Sequence, residues 1–148
     1  GIYPVSLSSM LFGKPEEIVT SCYKGKTGVD EQAAFIFSHS RGALSVMHSS
    51  LQAHTSQEAV IAGTEARLTI KRQCWRPQEL VLTRNDDSEE LFSLPFTGNG
   101  FNYEAAAFME LMRKGKHESE VMPLEESIAI METMDAIRTQ WGLRYPME

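Results

Sequence analysis

The sequence predicts an α+β fold: an open, mainly antiparallel β-sheet with helices packed on one face. Three observations carry this. From Glu17 to Leu94 apolar and polar residues alternate with a period near two, as in strands. After Asn99-Gly100 the period changes to about 3.6, as in helices. Ahead of the strands runs an uncharged helical segment, Val5 to Phe12. Helices and strands are thus segregated along the chain, which argues against an interleaved parallel sheet.

The strands follow in order. Ile18 to Tyr23 is β-prone and ends at Lys24-Gly25-Lys26-Thr27-Gly28, a turn by its two glycines. Ala33, Phe35 and Phe37 alternate with Ala34, Ile36 and Ser38 up to Ser40-Arg41-Gly42, and Ala43 to Gln52 completes a hairpin. In that second strand Leu44, Val46, His48, Ser50 and Gln52 share one face, and Ser45, Met47, Ser49 and Leu51 the other. Both faces are mixed, so helices are expected on one side and a less apolar cover on the other. Further strands are expected at Glu58 to Ala62, Arg67 to Lys71, Glu79 to Arg84 and Glu90 to Leu94, with turns at Gly63-Thr64-Glu65 and Asn85-Asp86-Asp87-Ser88.

Two helices close the chain. Asn102 suits an N-cap and Glu104 a first turn. Tyr103, Ala107 and Leu111, with Phe108 and Met112, make an apolar stripe ending at Lys114-Gly115. Pro123 suits the start of the last helix, in which Ile130, Met134, Ile137 and Trp141 recur on one face until Gly142 stops it. The methionines on and beside these helices read as adaptable core filler.

A length of 148 residues, 42% hydrophobic and 23% charged, fits a single globular domain, 1–148. The net charge of −6, with the fourteen Lys and Arg scattered, argues against nucleic acid and against an anionic membrane surface. No apolar run approaches the roughly 20 residues of a membrane span. Cys22 and Cys74 stand apart without metal-ligand spacing and read as two reduced thiols of a cytoplasmic protein. His39, His48, His54 and His117 have no ligand spacing either, so no metal site is expected and they read as satisfied or exposed polar groups. Asp86, Asp87, Glu89 and Glu90 read as a solvated hairpin tip. There is no phosphate loop, GxGxxG, GxSxG or HExxH. The chain opens Gly1-Ile2-Tyr3-Pro4 with no initiator Met, and is expected to be the back half of a longer protein.

Several segments, in order, resemble a known family. They are Gly1-Ile2-Tyr3 with its helix and Leu11-Phe12-Gly13-Lys14-Pro15-Glu16, then Gly63-Thr64-Glu65-Ala66, Asn102-Tyr103-Glu104-Ala105, and Pro123-Leu124-Glu125-Glu126-Ser127. Together they resemble the C-terminal domain of the Gfo/Idh/MocA oxidoreductases. Thr27-Gly28-Val29-Asp30, Cys74-Trp75 with Pro77 and Glu79-Leu80, and Arg113-Lys114-Gly115 resemble its dihydrodiol dehydrogenase branch.

The resemblance implies a substrate-binding and dimerisation domain whose partner is its own N-terminal Rossmann domain, which binds NADP or NAD. It implies a homodimer formed through the sheet and a small-molecule substrate: a diol, sugar or related polyol. Tyr3 matches the branch's catalytic tyrosine, the proton donor or acceptor in hydride transfer. The partner lysine lies in the Rossmann half and has no counterpart here, so the fragment alone is expected to be inactive. Trp75 matches an aromatic that walls the substrate pocket, and Phe96, in Leu94-Pro95-Phe96-Thr97-Gly98, a second pocket aromatic. The physical need for a neighbouring ammonium is plain: a phenol with an ordinary pKa of about 10 exchanges its proton poorly near neutrality. The alternative is a non-catalytic α+β binding or oligomerisation module in which Tyr3 packs the helix start and Trp75 closes the end of the sheet.

Overall fold

The structure, a computed structural model, describes residues 1–145. Its elements are α1 (Ile2–Phe12), β1 (Glu17–Lys24), β2 (Asp30–Ser38), a 3-10 turn at Ser40–Gly42, β3 (Leu44–Ser50), β4 (Ala59–Ala62), β5 (Ala66–Ile70), β6 (Glu79–Arg84), β7 (Glu89–Ser93), α2 (Phe101–Arg113) and α3 (Leu124–Trp141). Helix, strands, then helices is the expected α+β order, and every strand pairing is antiparallel. The strands do not form one continuous ladder. They pair as a three-stranded sheet, β1-β2-β3, and a four-stranded sheet, β4-β5-β6-β7. The two sheets belong to two compact units, Gly1–His54 with the chain from Glu118 onward, and Thr55–His117.

In the first unit the alternation of β2 fixes the core. Ala33, Phe35 and Phe37 turn inward at 1–7% exposure while Ala34 and Ile36 turn outward. Phe35 and Phe37 stand edge to face with centroids 6.4 Å apart, and Phe35 lies 5.8 Å from the Trp141 ring. α3 packs on β1, and α1 packs on β3 and on α3. Val5, Ile130 and Ile137 close the cluster from the helices, with Met47, Met134 and Trp141 partly buried around it. Each fully buried Phe or Ile contributes roughly 1.5–3 kcal/mol. Polar ties fix the register of α3: Trp141 Nε1 donates to Thr20 Oγ1 at 3.1 Å and Gln140 Nε2 to the Ile18 carbonyl at 2.9 Å. Gly142, at φ 58, ends α3 in the left-handed region that glycine tolerates, as its position in the sequence suggested.

In the second unit only Ile70 and Thr83 are buried. The stripe predicted for α2 exists, but no residue of α2 is buried, and Phe108 and Met112 are each 63% exposed. The expected cap is also displaced. α2 begins at Phe101 with Gly100, not Asn102, at its N-cap, and the Phe101 amide donates to Asn99 Oδ1 at 3.2 Å. Gly100 then turns the chain at φ 90, a value that strains any residue with a Cβ. Of the methionines on and beside the helices, the core-filler reading holds for Met134; Met10, Met109, Met112, Met122 and Met131 are exposed, and Met147 lies outside the described residues.

Candidate functional site

Helix α1 starts at Ile2, three residues earlier than the sequence suggests. Pro4 falls in its first turn, where a missing N–H costs no helical hydrogen bond. Tyr3 therefore sits in the first turn of a helix rather than ahead of one, and its side chain is 60% exposed. The turn rests on the core: a Cβ built on Gly1 would lie 3.7 Å from Phe35 Cζ and 4.0 Å from Met134 Cε. Val5 and Ser8, three residues apart and so on one face, are the buried residues of α1. Ser9 Oγ donates to Glu126 Oε1 at 2.5 Å, which ties α1 to α3.

Ser8 leads to a group that the sequence reading overlooked. Its Oγ lies 3.0 Å from His39 Nε2 and 2.8 Å from Ser45 Oγ, and Ser45 Oγ lies 3.1 Å from the same His39 nitrogen. All three residues are buried, His39 at 3% exposure. His39 Nδ1 is buried and makes no hydrogen bond. Burial pushes the imidazole below its ordinary pKa, against smaller upward pulls from the Gly13 backbone and the Glu16 carboxylate. His39 is thus neither exposed nor fully satisfied. Its partners lie 31 and 6 residues away, and no local pattern could have announced them.

Trp75 and Phe96 lie in the second unit. Trp75 sits in the β5–β6 connection and is 41% exposed; Phe96 sits in the β7–α2 connection, half-buried, with its ring 3.9 Å from where a Cβ on Gly100 would be. Strand register brings the two loops to one end of the sheet. Ile70, at the end of β5, pairs with Leu80 near the start of β6, and Glu79 pairs with Ser93, the last residue of β7. The Leu94 amide donating to the Gln78 carbonyl at 2.8 Å and the Lys71 amide donating to the Glu79 carbonyl at 3.2 Å hold the loop bases together. A second tyrosine supports the Phe96 loop: the Thr97 amide donates to Tyr103 Oη at 3.1 Å, and that hydrogen bond draws the phenol's pKa down. The sequence reading gave Tyr103 only a place in an apolar stripe.

The β5–β6 connection that carries Trp75 also borders a polar cavity that Trp75 itself does not line. This cavity of about 250 Å³ is lined by Lys71, Arg72, Gln73, Arg76, Gln78 and Glu79, three cations against one carboxylate. Arg76 Nε donates to Gln73 Oε1 at 2.7 Å, and Gln73 holds φ 64 to make the turn. Cys74 is anchored through its amide to the Gln57 carbonyl at 3.0 Å. Both cysteines are free thiols whose pKa values burial raises, which leaves them weak nucleophiles. Among the described residues no group of His, Cys, Asp or Glu is placed to hold a metal ion, and no helix is long and apolar enough to cross a membrane. Asp86 is a turn residue, its carboxylate held below its ordinary pKa by hydrogen bonds from Ser88.

The face of the first sheet away from the helices is also distinctive. Val19 pairs with Ile36 and Ile36 with Val46, and these residues are 63%, 44% and 78% exposed. Leu44, on the same face of β3, is 64% exposed.

Comparison with known proteins gives a consistent pattern. Residues 1–69 match the GFO/IDH/MocA C-terminal domain. The whole chain is similar to trans-1,2-dihydrobenzene-1,2-diol dehydrogenases: 31% identical over 155 residues to that of Homo sapiens and 32% over 156 residues to that of Bos taurus. The alignments cover 100% of this chain and 46% and 47% of those proteins, so the chain spans about half the length of the curated relatives it matches. Among solved structures, a 3-ketoreductase from Actinomadura kijaniata in complex with TDP-benzene and NADP superposes with a TM-score of 0.79 at 21% identity, over 93% of this chain and 44% of its own. An aldose-aldose oxidoreductase from Caulobacter crescentus complexed with glycerol superposes with a TM-score of 0.78 at 14% identity, over 94% and 43%. At such identities the structural likeness establishes the fold.

Proposed function

We propose that this chain, whose residues 1–69 match the GFO/IDH/MocA C-terminal domain, is the substrate-binding and dimerisation domain of an NAD(P)-dependent oxidoreductase acting on a diol, sugar or related polyol. The observation that carries this reading is similarity over the full chain to dihydrodiol dehydrogenases. The residues present do not fit the dinucleotide itself, since the sequence has no glycine phosphate loop. NADP or NAD belongs to a Rossmann domain outside this chain, and when bound there it supplies the hydride chemistry. Without that domain the chain is catalytically silent.

This chain's part is proton transfer and pocket wall. Tyr3 Oη gives or takes the proton of the substrate oxygen, held by the first turn of a helix that rests on the core. Trp75 and Phe96, at one end of the four-stranded sheet, wall the substrate. The cationic cavity in the Trp75 loop supports the oxygen-rich end of the substrate range, sugars and polyols, over a wholly apolar ring. The exposed Val19-Ile36-Val46 row supports dimerisation through the sheet. Cytoplasmic placement belongs to the same reading, in keeping with two free thiols.

The test is nicotinamide reduction by the longer protein that contains this chain, offered NADP or NAD with a panel of aromatic diols, sugars and polyols. Turnover is expected with at least one class, and Trp75→Ala should raise KM for it on the order of tenfold with kcat little changed. No turnover across the panel would overturn the reading.

A further inference from the structure

Helix α1 presents a problem that hydrophobic burial does not solve. Apolar residues lie all round it, from Ile2, Tyr3 and Val5 to Leu7, Met10, Leu11 and Phe12, and it carries no Asp, Glu, Lys or Arg. Burial is non-directional, so several rotations of such a helix against the sheet would cover similar apolar area. The observed rotation buries Val5 in the aromatic cluster and Ser8 in a polar group.

We propose that Ser8, His39 and Ser45 are a register lock that fixes the rotation of α1 on the sheet and thereby sets the direction of the Tyr3 phenol. Three polar atoms, from α1, from the residue just after β2 and from β3, meet within 2.8–3.1 Å of one another. Hydrogen bonds among them demand one alignment, whereas the apolar contacts around them do not. A rotation that turns Ser8 away removes the hydroxyl that α1 supplies to buried His39 Nε2 and Ser45 Oγ, which then keep only each other. Tyr3 lies about 140° around the helix from Ser8 at 3.6 residues per turn, so fixing Ser8 inward points Tyr3 outward. The rings of Phe12 and Phe37, with centroids 5.2 and 6.1 Å from His39, close the site. The charge acting on the imidazole is the Glu16 carboxylate. The group is a positioning device: none of its members is placed at the reacting atoms. Its value to the reaction rests on Tyr3 being the proton-transfer group, but the geometric claim can be tested apart from that.

The experiment is NMR of the full chain with ring-labelled tyrosine and histidine. Ser8→Ala removes one hydroxyl, and Ser45→Ala removes another on a different element; Ser6→Ala is the control on the same helix. Both lock variants should move the Tyr3 ring signal beyond its line width and shift the His39 titration, while Val5 methyl contacts to Phe35 persist. Ser8→Thr, which keeps the hydroxyl, should hold the Tyr3 signal near its original position. If Ser8→Ala does not fold, Ser45→Ala alone decides. A Tyr3 signal unmoved in whichever of the two variants folds, or moved equally by Ser6→Ala, would overturn the lock. A functional failure looks different: Tyr3→Phe would leave the longer protein fully active while the lock variants still moved the Tyr3 signal.

Discussion

The two units of this chain are built with opposite emphasis. The first carries the aromatic and aliphatic cluster of Val5, Ala33, Phe35, Phe37, Ile130 and Ile137, and Tyr3 stands on a helix packed against it. The second has Ile70 and Thr83 as its only buried described residues, an α2 with no buried residue, and its candidate substrate contacts on loops. Proton transfer needs a group held to within a fraction of an ångström, whereas a pocket wall tolerates adjustment. On the proposed reading, Tyr3 on the dense unit and Trp75 and Phe96 on the sparse one would match each task to its support.

The sharpest way to break this comparison is to cut both cores. Phe35→Ala should destabilise the first unit by about 3–5 kcal/mol. Leu82→Ala, on a half-buried strand of the second, should cost about 1–2 kcal/mol. Denaturant midpoints with amide exchange followed in β2 and β6 would read the difference. Equal losses would mean that the second unit is as tightly held as the first.

The outward face of the first sheet offers a milder probe. Ile36→Lys and Val46→Lys change exposed residues and should leave monomer stability within about 0.5 kcal/mol. Sedimentation across a concentration series should show self-association in the unaltered chain and its loss in both variants. A unaltered chain that stays monomeric at high concentration would remove the dimer from the proposal.

Acid should affect the units differently. Above about pH 6.5, the ordinary imidazole pKa, His39 is neutral in both the folded and the unfolded chain and adds no pH dependence. Below it the unfolded chain binds a proton that the buried imidazole resists, so stability falls as pH falls. The loss should be confined to the first unit, read as a lower urea midpoint at about pH 5.5 than at about pH 7.5, and His39→Gln should flatten it. A pH response unchanged in that variant would place the sensitivity elsewhere.

Much of the first unit was legible because its signals are local. Alternation through Ala33, Phe35 and Phe37 fixed the inward face of β2, and the spacing of Ile130, Met134, Ile137 and Trp141 fixed the inward face of α3. What the sequence concealed depends on residues far apart in the chain. The division into two sheets follows from which strands pair, and strand patterns alone do not specify pairing. The start of α1 lies beside Phe35 and Met134, far off in the chain, and α2 starts after Gly100 at its positive φ. The Ser8-His39-Ser45 group joins residues that look unremarkable one by one. Of the candidate site, Tyr3, Trp75 and Phe96 were named through a family resemblance; their spacing alone would have given a helix-start tyrosine and two loop aromatics.

Tyr3 carries the central claim, and the rate of hydride transfer in the Tyr3→Phe form of the longer protein tests it most directly. The substitution keeps the ring on the first turn of α1 and removes only the hydroxyl. Cofactor affinity should be unchanged, and the chemical step should slow by roughly 10² to 10⁴. Near-normal turnover, with hydride transfer shown to be rate-limiting, would contradict the claim and leave Tyr3 as a packing residue at the mouth of a helix.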